Sequence, residues 1–232
     1  MKARFDSRPT GPRAIADHFT TLLAVFCLVL TGCHTHKLSV NQAKYKPTNV
    51  YYKSKVLDPK LKRVAVLPLS TSLSSESLQA GIEILQPLVH AELDKTKRFE
   101  LMIISQQQMI QWTGKASWRS DDQLPADFFD KLHEMTDCDA VFFTELTRYS
   151  AYPPLAIGWK LALVQTIPHE ILWAVDEIFD AGDETVANAA RHYSSEHIHV
   201  EAPLSDPESI LGSPSRFGQY SLHELLVLLP LR

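Results

Sequence analysis

The sequence predicts an α/β domain, a mixed β-sheet with flanking helices that ends in a C-terminal β-hairpin plus helices. Three observations carry this. Aliphatic runs such as Val64-Ala65-Val66-Leu67 and Ala140-Val141-Phe142-Phe143 are short and bounded by charge or proline, the pattern of strands buried on both faces. Between these runs, apolar residues recur at helical spacing. Residues 155–167 alternate in polarity and resume as a second run at Ile171 after Pro168-His169, which reads as two strands around a turn.

Taken in order, residues 62–69 form the first strand. Ser74, Ser75 and Ser77 offer N-caps for a helix whose stripe is Leu78, Ile82, Leu85, Val89 and Leu93, with a kink expected at Pro87. Residues 98–104 read as the second strand, and Ser105 caps a short helix through Trp112. A polar loop spans 114–123. Pro125 opens an amphipathic helix with Phe128, Phe129, Leu132 and Met135 as its buried stripe. Residues 139–149 make the third strand, and the hairpin follows, its second strand running over 171–175. Asp183 caps a helix through Val186, Ala189, Ala190 and Tyr193. The last helix is expected at 221–229, with Leu222, Leu225, Leu226 and Leu229 spaced for packing. Strands separated by helices and then a hairpin give one mixed sheet in a layered fold.

The chain has 232 residues, 45% hydrophobic and 22% charged, with net charge −4 and three cysteines. That apolar fraction excludes wholesale disorder. The acidic balance argues against a nucleic-acid partner, which calls for a basic excess. Three cysteines are too few for a disulfide framework or a four-thiolate zinc site.

Residues 1–32 read as a lipoprotein signal peptide. Lys2, Arg4, Arg8 and Arg13 precede the apolar run 22–30, which at about 1.5 Å per residue is far shorter than a bilayer core of about 30 Å. The run ends in Leu30-Thr31-Gly32-Cys33, which resembles a bacterial lipobox whose cysteine is acylated after cleavage. Two or three acyl chains on Cys33 would provide the anchoring that a single chain cannot. His34 in place of an aspartate favours, by resemblance to sorting rules, the outer membrane with the domain facing the periplasm. Four cations and two acids leave with residues 1–32, so the remainder carries −6. Residues 33–60 then read as lipid anchor and flexible tether, and 61–232 as a single domain. Lys37, Lys44, Lys46, Lys53 and Lys55 of the tether read as solvated, with contact to anionic head groups as the alternative.

The lipobox and tether, Arg63-Val64-Ala65-Val66-Leu67-Pro68, Asp139-Ala140-Val141-Phe142, Tyr149 with Tyr152-Pro153-Pro154, and Ile171-Leu172-Trp173 together resemble the periplasmic lipoprotein superfamily of the curli secretion protein CsgG, with its PelC-, LpoB- and GNA1162-like members. The resemblance implies a TolB N-terminal-like α/β domain over about residues 61–180. It also implies a non-catalytic role in an export or cell-envelope complex, through contacts with envelope or secretion proteins and, as a possible homo-oligomer, with copies of itself. CsgG inserts long amphipathic hairpins to form a pore, and no segment here is long and Gly/Ser-rich enough for that.

No G-x-S-x-G, Walker loop, dinucleotide fingerprint or H-E-x-x-H is present, and no cofactor or metal is expected. Asp176, Glu177, Asp180, Asp183 and Glu184 form the one carboxylate cluster that could serve a hydrolase. Strand-end and helix-N-terminal placement explains them as well. His192, His197 and His199 read as surface or capping residues, with zinc as the alternative. Cys138 reads as a small buried hydrophobe. Trp112 and Trp118 are the candidate partner-binding residues: Trp118 lies in the polar loop, and an exposed tryptophan anchors partners, with packing into the core as the alternative.

Overall fold

The structure is a computed structural model and describes residues 45–72, 75–198 and 206–232. The signal peptide, the lipobox Leu30–Cys33 and His199 lie outside the described residues. Six strands, β1 (Val50–Tyr52), β2 (Arg63–Val66), β3 (Glu100–Ile103), β4 (Ala140–Ser150), β5 (Ala156–Gln165) and β6 (Ile171–Asp180), form one sheet in the order β1-β6-β5-β4-β2-β3. Pairing is parallel among β3, β2 and β4 and antiparallel from β4 to β1. This is the mixed sheet that the alternation of helix and hairpin patterns predicts.

Helix α1 (Glu76–Lys95) starts where the Ser75 side chain accepts from the Leu78 N–H at 3.2 Å. Its predicted stripe is buried, and the helix is unbroken through Pro87. Helix α2 (Gln106–Thr113) has a complete capping box, Ser105 with Gln108. It ends on Gly114 at φ +80°, a left-handed position that favours glycine. Helix α3 (Phe128–Thr136) begins three residues after Pro125 and buries Phe128, Leu132 and Thr136. Met135 is 56% exposed and does not belong to the stripe.

Helix α4 (Glu184–Tyr193) is capped by Asp183, which accepts from the Thr185 N–H at 2.7 Å, and it continues into a π turn over Ser194–Ile198. A 3-10 turn (Pro207–Gly212) leads to α5 (Pro214–Leu226). The last helix therefore starts seven residues before the expected position. Ser213 is its N-cap and Pro214 sits at the first turn, where the missing N–H has no intrahelical partner to lose.

One face of the sheet packs Val64, Phe142, Trp159, Trp173 and Phe179 against Leu85 and Val89 of α1, Ala190 of α4, and Phe217 and Leu225 of α5. Two close approaches depend on missing side chains: a Cβ on Gly81 would lie 2.7 Å from the Tyr149 ring, and one on Gly218 would collide with Leu85. The other face packs Ala65, Leu67, Val141, Phe143 and Val164 against Met109 of α2, Phe128 and Leu132 of α3, and Trp118.

The segment 45–60, which the sequence assigns to the tether, is part of this domain. Its strand β1 pairs with β6, Val50 with Val175 and Tyr52 with Trp173, and Pro47, Leu57 and Leu61 are buried. The Tyr45 hydroxyl and the Thr48 N–H both donate to Glu177, each at 2.9 Å, and the Tyr45 ring lies 5.1 Å from Phe179. The lysine, asparagine and proline content that reads as linker masks three strand residues whose partners lie far downstream.

Candidate protein-interaction face

The strands alternate their side chains across the sheet, so Ala174, Asp176 and Ile178 of β6 face away from α1, α4 and α5. This outer side stays open at β6 and β1: Tyr51, Ile171 and Ile178 are each roughly half exposed. A hollow of about 550 Å³ lies among Tyr51, Lys53, His169, Ile171 and Ala174. A second, of about 300 Å³, adjoins it among Asn49, Tyr51, Asp121, Lys160 and Asp176.

A row of charges crosses the same side. Glu145 of β4 stands opposite Lys160 of β5, which stands opposite Asp176 of β6. Loop 114–123 closes over one end of this row. Asp121 accepts from Lys160 Nζ at 2.8 Å, and that hydrogen bond holds the Asp121 carboxyl below its ordinary range and the Lys160 ammonium above its own.

Asp122 ties the loop to itself. It accepts from Lys115 Nζ at 2.7 Å, from the Arg119 backbone N–H at 3.0 Å, and from Arg119 Nε and Nη2 at 3.0 and 2.7 Å. Burial alone pushes this carboxyl up, and the hydrogen bonds from Lys115 and Arg119 outweigh that, bringing it down to about 2.

Glu145 is the opposite case. It is buried, its nearest cation is Arg119 Nη1 at 3.7 Å, and its Oε2 accepts no hydrogen bond. Burial pushes its carboxyl up against the pull of Lys160. Nothing in the sequence sets this glutamate apart from the others; only the register of β4 buries it.

Trp118, read from the sequence as the best candidate for exposure, is 9% exposed. Its Nε1–H donates to Thr113 Oγ1 at 2.7 Å, its ring meets Phe128 edge-on at 5.7 Å, and Lys115 Nζ lies 4.6 Å over it. The loop is polar because its charges pair with one another, and the indole is its inward pin. Trp112 is half-buried against the same core. Trp118 pins the loop, Trp112 packs on the core beside it, and the exposed apolar side chains on this side of the sheet include Tyr51 of β1 and Ile171 and Ile178 of β6.

The carboxylate cluster is divided by the fold, because β6 extends to Asp180, five residues beyond its expected end. Asp176 faces the open side, and Glu177 faces the helices and holds Tyr45 and Thr48. Asp180 accepts from the Gly182 N–H at 2.9 Å and lies 3.6 Å from Arg148, and Asp183 caps α4.

His192 lies 3.3 Å from Glu196. His197 instead stacks on Tyr193 at 4.5 Å, with His223 of α5 at 4.9 Å. Burial pushes the His223 imidazole down, and the neighbouring His197 adds to that. Among the described residues no group of three His, Cys, Asp or Glu side chains is placed to hold a metal ion. Cys138 is buried and free, with its thiol pushed up by burial. No helix among the described residues is long and apolar enough to cross a membrane.

No family model and no curated protein matches the chain. Among solved structures it is similar to lipoprotein GNA1162 from Neisseria meningitidis, with 15% identity over 62% of this chain and 99% of that one and a TM-score of 0.39. It is also similar to the PelC dodecamer from Paraburkholderia phytofirmans (9% identity, 80% and 95% covered, TM-score 0.38) and to the LpoB C-terminal domain from Escherichia coli (16%, 53% and 86%, TM-score 0.32). Likeness at this level assigns no function to the chain.

Proposed function

We propose that the chain is a lipid-anchored protein of the bacterial cell envelope, acting without catalysis as an interaction or assembly component of an export or envelope complex. The observation that carries the interaction role is the open outer side of β6 and β1, where Tyr51 and Ile171 border two adjoining hollows, one of them reaching Asp176, and Ile178 is exposed further along β6. The strand β1 is also an edge of the sheet, the kind of element to which a partner strand adds. The anchor reading is supported by the order of basic stretch, short apolar run and Leu30-Thr31-Gly32-Cys33, and His34 supports the outer membrane. The non-catalytic reading is supported by the cluster at 176–184, where Glu177, Asp180 and Asp183 already accept hydrogen bonds from neighbouring groups.

Two measurements test this. The mass of the mature protein reads acylation at Cys33, and Cys33→Ser removes both the added mass and recovery in the membrane fraction. A photo-reactive residue in place of Tyr51 or Ile178, activated in intact cells, yields discrete adducts with an envelope protein or with a second copy of the chain. Adducts no more frequent than from the exposed Ile84 on α1 would refute the interaction face.

A further inference from the structure

At the end of the sheet where β2, β4 and β6 begin, the segment 53–62 lies against the chain's last described residues. Leu231 donates its N–H to the Lys55 carbonyl at 2.9 Å, Leu57 donates to the Leu231 carbonyl at 2.8 Å, and Val56 bridges Leu231. Arg232 Nη2 donates to the Leu61 carbonyl at 3.2 Å. These bonds assemble one surface from two distant parts of the sequence. At its crest Val56 and Leu231 are 56% and 64% exposed, although an apolar pair gains nothing from water.

Around the crest stand Lys55, Lys60, Lys62 and Arg232, all exposed and none in an ion pair among the described residues. Other charges nearby include Asp58, whose Oδ1 accepts from the Lys60 N–H at 2.8 Å, Asp139, whose Oδ2 accepts from the Lys62 N–H at 2.7 Å, Arg98, whose Nη1 donates to the Pro230 carbonyl at 2.6 Å, and Lys53, paired with Glu170. A groove of about 300 Å³ runs beneath Val56, floored by Leu57, Leu61 and Leu172. Lys55, Lys60, Lys62 and Arg232 around two exposed aliphatics make this end locally cationic on a chain of net charge −4.

We infer that this end of the domain docks on an anionic phospholipid surface, with Val56 and Leu231 entering the head-group region and the four cations facing the phosphates. The inference rests on the proposed attachment through Cys33. The twelve residues 33–44 extend to at most about 40 Å, and Tyr45 packs on Phe179. From Phe179 to Leu172, beside the groove, β6 rises only about 23 Å, so an anchored chain has slack enough to lay this end on the bilayer. Each cation brought to such a surface adds roughly 1 kcal/mol, which salt weakens. The acyl chains would hold the protein at the membrane, and this surface would set how the domain lies on it.

The test uses the mature protein purified from producing cells, with p-benzoylphenylalanine in place of Val56 or, as a control, of Ile84. It is reconstituted in vesicles of phosphatidylcholine alone or mixed with phosphatidylglycerol and irradiated, and phospholipid adducts are counted by mass. Adducts at position 56 are expected in the phosphatidylglycerol vesicles, to fall steeply with added salt, and to drop on the order of a hundredfold in Lys55→Glu/Lys60→Glu/Lys62→Glu. The salt titration uses the unsubstituted lysines, so the result stands if the triple variant folds poorly. Equal adducts in both vesicle types, equal adducts at 56 and 84, or adducts to protein in place of lipid would overturn the inference. The same mass spectra report acylation at Cys33, so failure of the anchor is read separately from failure of the docking surface.

Discussion

Replacing Asp122 by asparagine removes the charge on which loop 114–123 converges while keeping the side chain's size. In the parent, that carboxylate collects four N–H donors from Lys115 and Arg119 and is 11% exposed, so water screens it little. Its titration at about 2, against 3.8 for a free aspartate, corresponds to roughly 2 kcal/mol of stabilisation of the charged native form. Because the native value is depressed, this contribution is present in full above the unfolded value. It drains away as pH falls from about 4 towards 2. Urea denaturation of parent and Asp122→Asn should therefore show a gap of about 2 kcal/mol at pH 7 that narrows to about 1 kcal/mol or less at pH 2.5. Protease nicking in 114–123 should rise in the variant, since the Trp118 indole and the Asp121–Lys160 pair would be left to tie the loop. A gap below about 0.5 kcal/mol at pH 7, or one that does not change between pH 7 and pH 2.5, would refute the assignment of Asp122 as the charged centre of the loop.

Other residues give further tests. Glu145→Gln removes a buried carboxylate held above its ordinary range, so it should be neutral or stabilising by about 1 kcal/mol at neutral pH; the native form of this group binds its proton more tightly, so its favourable contribution exists in acid and is lost as pH rises, and the gain from glutamine should vanish below about pH 4 in the same denaturation assay. Gly81→Ala drives a methyl into the Tyr149 ring and should cost about 1–3 kcal/mol, read as a lowered urea midpoint with unchanged slope. Gly114→Ala meets no neighbour, so any loss, expected at about 1 kcal/mol, comes from its left-handed backbone alone, and Gly114→Asn should recover part of it. Tyr45→Phe removes one of two donors to Glu177 and should cost about 1 kcal/mol, with faster hydrogen exchange confined to 45–52.

The elements legible in the sequence are those whose signal is local. The stripe of α1, the Ser105 cap of α2 and the Asp183 cap of α4 are each local in the sequence, and all three stand in the structure. The hairpin is legible through its turn, but the apolar pattern of its second strand stops at Val175, and Asp176, Glu177 and Ile178 do not look like a buried strand. They belong to one because β5 pairs with β6 as far as Asp180, whatever faces solvent. Strand β1 is the extreme case: its neighbour Tyr45 binds a glutamate 132 residues away, and no periodicity within three residues can announce such a partner. The candidate face was missed for a related reason. Tryptophan in a polar loop is a visible signal, whereas the exposure of Tyr51, Ile171 and Ile178 follows from sheet order, and the burial of Trp118 follows from charges that neutralise one another inside the loop.

The pairing of β1 with β6 also has a mechanical meaning. Tension arriving through the chain ahead of Tyr45 meets first the two hydrogen bonds to Glu177 and then the β1–β6 ladder. A pull along the strand axis loads these bonds side by side, in shear, so that they resist together where peeling would open them one at a time. Segment 45–52 is in this sense a clip: a load arriving ahead of Tyr45 would be taken up by these bonds before it reached the helices that close the core.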